Sequence, residues 1–331
     1  MPKNAATGQF EQGPPGAFAA EYCRKYASAP SLQLARMLHK ARPLYWPTVE
    51  NARDMIRHYR GKHGHVKTPI PHLPLPEPIA PTWEPYILPP DVKRWLVIAD
   101  LQMRFHDLDA LKCVLRFVKR RESRCDGAIL LGDVLECYDL SDFCRDPAKR
   151  KAGAELAAAG QLLDILQQEL KIKRVVWKEG NHEYRVRRYL WRRAAELFDY
   201  TGKDAWTLPH ELKLRERNVD WVNQESPITH GHLTFFHGHE WRGSAVSPVG
   251  PARTAFMRTI ACAVVGHFHM TQEFTQRTAE GTTITCWTVG ALCSLHPEWR
   301  PVHNWNHGFG IFEASDPWRF HNLKIVDNNV V

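Results

Sequence analysis

The chain has 331 residues, of which 44% are hydrophobic and 24% charged, with a formal net charge of +8. This composition is typical of globular proteins and excludes a wholly disordered chain, and the length allows one large domain and a smaller one. The eight cysteines are scattered without a CxxC pair, which excludes a dense disulfide scaffold. Because there is no apolar N-terminal leader and no window of eighteen apolar residues, the sequence predicts a cytoplasmic protein without a membrane partner.

The positive charge is concentrated towards the N-terminus. Residues 1–90 hold 11 Lys/Arg and 6 Asp/Glu, a net +5, whereas residues 91–331 hold 33 and 30, a net +3. The excess indicates either an anionic partner of the N-terminal quarter or an ordinary solvated surface.

The first ninety residues are predicted to hold a small helical unit between two extended segments. Residues 1–18, rich in glycine, proline and alanine, are expected to be flexible, and residues 19–68 to be helical, with Ser31 as a helix cap. Residues 69–90 carry nine prolines, which fix φ and remove N–H donors, so we expect an extended linker there. The linker would separate the helical unit from a second domain, residues 91–331.

A stripe of arginines is predicted on the last helix of this basic unit. Arg53, Arg57 and Arg60 recur at i, i+4 and i+7 and therefore share one helical face. The stripe indicates either a helix-turn-helix-like module with its arginines on DNA or a helical hairpin that only packs on the next domain. No zinc-finger, RRM-like or glycine-rich phosphate-loop motif accompanies it.

In the second domain the pattern alternates between strands and helices. Short apolar runs at 95–99, 128–131 and 174–177 are predicted strands, and Asp107 can cap a helix after the first of them. Further strands are predicted at 233–236, 261–265, 282–289 and 309–312. The sequence therefore predicts an α/β sandwich of two mixed sheets flanked by helices, in addition to the N-terminal helical unit.

Five polar blocks, each directly after a predicted strand, are the main functional signal of the sequence. They read Asp100-Leu101-Gln102, Gly132-Asp133-Val134-Leu135-Glu136, Gly180-Asn181-His182-Glu183, His237-Gly238-His239 and Gly266-His267-Phe268-His269. In α/β folds ligands bind beyond the carboxyl ends of strands, so five such ends can converge on one site. Carboxylates, imidazoles and amides suit a pair of divalent transition metals.

The order of these blocks resembles the calcineurin-like metallophosphoesterase superfamily over about residues 93–315, and the domain plan resembles its phage and prophage members. The resemblance implies a hydrolase in which a hydroxide bridging two metal ions attacks a phosphate ester. The implied metal ligands are Asp100 and His269 on one ion, Asn181, His237 and His267 on the other, and Asp133, also a catalytic residue, bridging both.

The remaining block members are given other roles. By the resemblance, His182 is a catalytic residue beside the scissile phosphate, where it protonates the leaving alkoxide or stabilises charge on phosphorus. Glu136 and Glu183 are expected to orient ligands rather than to bind metal. His239 is expected to orient ligands too, with a place in the substrate wall as the alternative.

Gln102 departs from the family pattern, which usually has a histidine here. As a metal ligand, glutamine offers only an amide oxygen, so a looser first metal site is the preferred interpretation. The alternatives are that His106, four residues later, takes the place of the missing histidine ligand, or that the site binds a single metal ion. The oxygen-rich ligand set makes Mn²⁺ the first expectation, with Fe, Zn²⁺ and Co²⁺ left open.

Basic residues near the blocks suggest contacts with substrate. Arg185 follows His182 by three residues, and further candidates at the site's edge are His106, Arg242 and His307. These residues and the arginine stripe favour a phosphodiesterase or nuclease acting on DNA in a bacterial or phage-infected cell. The alternatives are a phosphatase or phosphodiesterase for small nucleotides or phosphoproteins, and a non-catalytic DNA-binding or virion-associated protein. The sequence leaves the oligomeric state open.

Overall fold

The computed structural model describes residues 14–60, 83–149, 151–197, 205–241, 250–297, 300 and 302–331. The chain divides into two compact units, Met1–Ala80 and Pro81–Val331. Residues 1–13 of the expected flexible segment and residues 61–82, with most of the expected linker, lie outside the described residues, as does Arg242.

The described part of the first unit consists of α1 (Pro14–Lys25), α2 (Ser31–Ala41) and α3 (Val49–Arg60). Apolar residues spaced three and four apart meet in a common core that includes Leu34, Leu38 and Ile56. The predicted cap at Ser31 is wrong, since Pro30 occupies the cap position and makes no side-chain hydrogen bond.

Arg60, expected on an exposed basic stripe, is buried at the end of α3 and is only 6% exposed. Its guanidinium donates to the carbonyl oxygens of Ala29 at 2.5 Å, Tyr26 at 2.8 Å and Ala27 at 3.2 Å. These carbonyls lie at and beyond the end of α1, where the last helical C=O groups lack partners within the helix. The expectation that Arg60 points outward with Arg53 and Arg57 is therefore wrong, and its role is structural.

The second unit contains two β-sheets and several helices. The strands are β1 (Tyr86–Ile87), β2 (Arg94–Ile98), β3 (Gly127–Leu130), β4 (Arg174–Lys178), β5 (Val219–Val222), β6 (Ile228–His230), β7 (Leu233–Phe236), β8 (Cys262–Val265), β9 (Gln272–Arg277), β10 (Thr283–Thr288), β11 (Gly308–Glu313), β12 (Arg319–Val326) and β13 (Asn329–Val330). The helices are α4 (Leu108–Lys119), α5 (Ala152–Asp164), α6 (Tyr184–Arg193), α7 (Leu208–Glu211) and α8 (Pro251–Thr259). The predicted cap of α4 is confirmed, because Asp107 accepts from the N–H groups of Asp109 and Ala110.

Within the described residues, one sheet has the order β13-β12-β11-β2-β3-β4-β5 and the other β1-β6-β7-β8-β10-β9. In the first sheet β2, β3, β4 and β5 run parallel, and β11, β12 and β13 are antiparallel neighbours. In the second sheet β7 and β8 are adjacent and parallel, whereas β6 and β7 are antiparallel. Both sheets are therefore mixed.

The two sheets pack face to face, and the alternation of side chains explains the layers. On β2, Trp95 and Val97 face the other sheet, whereas Leu96 and Ile98 face helices α4 and α5. From the other sheet, Phe235 meets Phe312 between the layers with ring centroids 5.3 Å apart. Burying each such side chain contributes about 1.5–3 kcal/mol, so the alternation holds the strand ends in a fixed register.

The predicted fold class, an α/β sandwich of two mixed sheets flanked by helices, is confirmed. One difference concerns the expected linker at 69–90, because Tyr86 and Ile87 form β1 and pair parallel to β6. The strand lies at the sheet's edge, where neighbouring prolines can be tolerated. None of the helices in the described ranges has the length and apolar character needed to cross a bilayer.

Candidate metal centre

The polar blocks follow strands that end side by side. The first three follow the neighbouring parallel strands β2, β3 and β4, and the last two follow the neighbouring parallel strands β7 and β8. The two sheets meet at this end, since His237 Nε2 lies 3.1 Å from Asp133 Oδ2. The arrangement brings blocks that are far apart in the sequence to one place.

The backbone turns sharply where the blocks leave their strands. Five non-glycine residues adopt the left-handed conformation there, with φ of 53° at Asp100, 48° at Gln102, 52° at Asp133, 65° at His267 and 56° at His269. L-residues rarely adopt this region because of steric clashes, and each such residue costs on the order of 1–3 kcal/mol. Such strain is maintained only where the surrounding packing determines it, as at binding sites.

Asp133, His237 and His267 form a group that can hold a metal ion. One ligand atom from each lies within 4.8 Å of the others. His237 Nδ1 lies 2.8 Å from the carbonyl oxygen of Leu131, and donation to that carbonyl leaves Nε2 free to bind metal. Asn181 Oδ1 lies 3.3 Å from the same Nε2, so the amide oxygen joins the group.

Protons stabilise this group in the absence of metal. Burial alone would lower the pKa of His237, but the Asp133 carboxylate reverses the effect and raises it to about 10. Burial alone would raise the pKa of Asp133, but His182 and His237 hold it well below its usual range. Burial and the charge of His237 lower the pKa of His267 to about 4, so this imidazole is neutral. A metal ion would therefore displace the proton of His237.

Asp100, His269 and Gln102 form a second group beside the first. Asp100 Oδ2 accepts a hydrogen bond from the backbone N–H of His267 at 2.8 Å. The buried Asp100 Oδ1 lies 3.2 Å from His269 Nε2 but accepts no hydrogen bond of ordinary geometry from the described residues. The side-chain nitrogen of Gln102 lies 3.5 Å from the same imidazole nitrogen. A buried carboxylate oxygen without a donor fits a cation, so this ligand set suits a metal ion.

Glu183 connects the second and third blocks. Its Oε2 accepts from the backbone N–H of Asp133 at 2.9 Å and of Gly180 at 3.0 Å, and its Oε1 accepts from Leu135 at 3.0 Å. Gly180 is required by close approach, since a Cβ there would lie 2.2 Å from Asp133 Oδ1. Glu183 therefore orients Asp133 through the backbone.

His182 lies beside Asp133 and is held by two charged neighbours. Its Nδ1 lies 2.9 Å from Glu136 Oε2, and its Nε2 lies 3.1 Å from Arg185 Nη2 and 3.6 Å from Asp133 Oδ2. Burial alone would lower the pKa of His182, but the carboxylates of Asp133 and Glu136 raise it. Arg185 is itself buried and lies 3.1 Å from Glu136 Oε1, so it supports His182 rather than an open anion site.

A buried ion pair behind the fourth block was not found from the sequence. Lys178 is fully buried, with Nζ 3.2 Å from Glu240 Oε1 and 3.0 Å from the carbonyl oxygen of Asn223. Glu240 accepts from the backbone N–H groups of His237 at 3.1 Å and Gly238 at 2.5 Å. Burial would raise the pKa of Glu240, but Lys178 lowers it to about 2. The position of Glu240 directly after the block was the available signal.

His239 packs against His237 and His267 without joining their group of candidate ligands. Its ring centroid lies 5.3 Å from that of His237, and its Nε2 lies 3.0 Å from Gln224 Oε1. Burial and the charge of His237 lower the pKa of His239 to about 3, so it is neutral.

The two groups open into a cavity of about 180 Å³. The described residues lining it are Gln102, Asp133, His182, His267, Phe268, His269, Met270, Arg300, Asn304 and Trp305. Arg300, Asn304 and Trp305 come from the segment between β10 and β11, which no sequence motif marked as functional.

Two of the expected substrate residues lie elsewhere. His307 Nε2 lies 3.0 Å from the carbonyl oxygen of Cys293. The backbone of His106 pairs with that of Cys293 in an isolated antiparallel β-bridge. Neither is among the described residues that line the cavity, so His106 does not supplement Gln102 in this geometry.

On α3, the two exposed arginines of the predicted stripe are paired with acids on the same helix. Arg53 lies 3.4 Å from Glu50, and Arg57 lies 3.4 Å from Glu50 and 3.1 Å from Asp54. Such exposed pairs are weak and leave the side chains able to rearrange, but they reduce the net charge of this helix face.

Comparison with known proteins identifies no family. No family model matches the chain, and no curated protein matches it. Among solved structures, the chain is similar to Vps29 of Chaetomium thermophilum, crystallised with a cyclic peptide, at 11% identity and a TM-score of 0.32 over 72% of this chain and 94% of that one. A TM-score of this size says nothing about function, which depends on the site itself.

Proposed function

We propose that this protein is a metal-dependent phosphoesterase of the calcineurin-like metallophosphoesterase superfamily. The observation that carries the proposal is the convergence of Asp133, His237 and His267, with ligand atoms within 4.8 Å, beside the cavity that His182 lines. The order of the five blocks, which resembles that superfamily, supports the same reaction class.

In this proposal the two groups of ligands hold two divalent ions. Asn181, His237 and His267 hold one ion, Asp100, His269 and Gln102 hold the other, and Asp133 bridges them. When bound, such ions lower the pKa of water and offset charge on the phosphoryl oxygens. We propose Mn²⁺ first because Gln102 adds an oxygen ligand where a histidine would add nitrogen.

The proposed role of His182 is to protonate the leaving alkoxide from Nε2. Its raised pKa favours the protonated imidazole that this role needs, and Glu136 holds the opposite nitrogen at 2.9 Å. Once the proton has left, the Nε2 lone pair can accept from Arg185 Nη2 at 3.1 Å. Arg185 would thus stabilise the neutral imidazole that results.

For the substrate we propose a phosphodiester of DNA, in the cytoplasm of a bacterial or phage-infected cell. The net charge of +8 supports a polyanionic partner. The second candidate is a small phosphate ester. The observations that speak for it are that Arg60 is buried and that Arg53 and Arg57 are paired with acids, so fewer charges on α3 are available to DNA.

The test is turnover with added Mn²⁺ on bis-p-nitrophenyl phosphate, p-nitrophenyl phosphate, and single- and double-stranded DNA side by side. We expect hydrolysis that chelator abolishes and that is absent from Asp133→Ala. Preference for DNA supports the first substrate, and preference for a p-nitrophenyl ester supports the second. No hydrolysis with Mn²⁺, Fe²⁺, Zn²⁺ or Co²⁺ would overturn the proposal and favour a non-catalytic protein.

A further inference from the structure

Three residues between β10 and β11 contribute to the wall of the site cavity. Arg300, Asn304 and Trp305 line the same cavity as Asp133 and His182. None of these three residues belongs to a polar block, so the resemblance to the superfamily assigns them no role.

Arg300 is the one permanently charged cation among the described residues that line the cavity. No carboxylate of the described residues lies within ion-pair distance of its guanidinium, and its side chain is exposed. Arg185, close to His182, differs because it lies 3.1 Å from Glu136 Oε1, which offsets its charge. Among the described residues, no carboxylate therefore offsets the charge of Arg300 beside the proposed metal ligands.

Trp305 gives the guanidinium a fixed support. The central carbon of the Arg300 guanidinium lies 5.5 Å from the centroid of the Trp305 ring, a cation–π distance. The Trp305 ring packs on His269 with centroids 4.1 Å apart and stacks on His303 at 4.5 Å. Because the indole packs on both imidazoles, the guanidinium is kept near the second ligand group, and no described residue accepts a hydrogen bond from its side chain.

We propose that Arg300 is a substrate-binding residue that donates hydrogen bonds to the non-bridging oxygens of the phosphoryl group in this cavity. A planar guanidinium matches two phosphoryl oxygens at once, which an ammonium cannot do. The inference rests on the proposed function, since it names the residue that holds the substrate of that same site.

The experiment compares Arg300→Met with Arg300→Lys and with Arg319→Met, which removes an exposed arginine from β12. We expect kcat/KM of Arg300→Met on bis-p-nitrophenyl phosphate to fall about 10- to 100-fold, the size of a charged hydrogen bond. Arg300→Lys should keep part of the activity, and Arg319→Met all of it. Metal content and Tm should match wild type in all three variants.

A second measurement does not depend on turnover. Calorimetric titration of the Mn²⁺-loaded proteins with inorganic phosphate should show a Kd that rises by a similar factor in Arg300→Met. Unchanged kcat/KM and unchanged phosphate affinity in that variant would overturn the role of Arg300 while leaving the phosphoesterase proposal intact. If wild type hydrolyses nothing, the proposed function fails, and the phosphate titration alone then decides whether Arg300 binds the anion.

Discussion

The carboxylate of Glu183 accepts a hydrogen bond from the backbone N–H of Asp133 at 2.9 Å, and thereby ties the turn after β4 to the turn after β3. The same side chain accepts from the N–H groups of Gly180 and Leu135, both at 3.0 Å. Because all four residues are buried, no water replaces these bonds. The position of the Asp133 carboxylate, the proposed bridging ligand, therefore depends on a side chain that we do not assign to a metal.

Replacing Glu183 by alanine should lower the free energy of unfolding and weaken metal binding. Three buried N–H groups would lose their acceptor, and each unsatisfied donor costs about 1–3 kcal/mol. We expect the free energy of unfolding in urea to fall by about 3 kcal/mol or more. Glu280→Ala, in an exposed turn, is the control. Equal stability of the two variants would show that Glu183 does not hold these turns.

Gly180→Ala should remove metal binding without adding a charge or a polar group. A Cβ at this position would lie 2.2 Å from Asp133 Oδ1 and 2.4 Å from its backbone nitrogen, so Asp133 must move. Gly153→Ala is the matched control, because a Cβ there meets nothing within 4 Å and alanine favours the helix. Metal content after dialysis is the measurement. Retained metal in Gly180→Ala would mean that the turn adapts.

The roles proposed for His182 and Asp133 separate in paired variants. His182→Ala should retain metal but lose turnover by about 10²- to 10⁴-fold, the usual contribution of a general acid. Asp133→Ala should lose metal as well as turnover, since it removes the proposed bridging ligand. Metal content is measured by elemental analysis alongside turnover. Equal metal loss in both variants would assign His182 to the metal.

Gln102→His should tighten binding of the metal ion that Asp100 and His269 are proposed to hold. Gln102 is buried with its side-chain nitrogen 3.5 Å from His269 Nε2, so an imidazole at this position is close enough to share a metal with His269. Titration with Mn²⁺ and with Zn²⁺ should show a lower Kd for one of two sites, and more so for Zn²⁺, which prefers nitrogen. Identical stoichiometry and affinity in the two proteins would contradict a weakened site.

The pH dependence of stability can be tested at Glu155, away from the metal ligands. Glu155 is 5% exposed and accepts from the N–H groups of Cys137 at 2.8 Å and Tyr138 at 3.2 Å. Burial raises its pKa from 4.5 to about 7, although these N–H groups lower it. Below pH 4.5 the folded and unfolded states are both protonated, so there is no effect.

As the pH rises from 4.5 to about 7 the unfolded chain ionises first, so stability is lost across this window and stays lost above it. The raised pKa corresponds to about 3 kcal/mol. Glu155→Gln does not titrate, so we expect its stability relative to wild type to rise by about 3 kcal/mol between pH 4.5 and 8. Urea unfolding at several pH values measures this, and a constant difference between the proteins would contradict it.

The fold class and the convergence of the blocks could be predicted because they depend on local patterns. A short continuous apolar run marks β2, and a carboxylate or imidazole directly after a strand places that group at the end of the strand. The neighbouring positions of β7 and β8 were not predictable in the same way, since strand order depends on packing between distant segments.

The contacts that determine which side chains are free could not be read from the sequence. Arg60 has the same helical spacing as Arg57, yet only the former meets the end of α1. Lys178 looks like a surface residue at the end of a strand, but it is buried against Glu240. Each outcome is decided by a partner far away in the chain, which periodicity does not report.

The left-handed backbone at the site lowers thermal stability at the positions that the proposed function needs. Glycine would relieve the steric clash at His267 and His269 and raise stability by about 1 kcal/mol or more at each, whereas at Asp100 and Asp133 the gain is offset because the N–H groups of His267 and His182 would lose their acceptors. Each replacement would also remove a proposed ligand. A library selected for survival on heating alone would therefore lose His267 and His269 early, and a more heat-resistant protein obtained in that way would lack two of the proposed metal ligands.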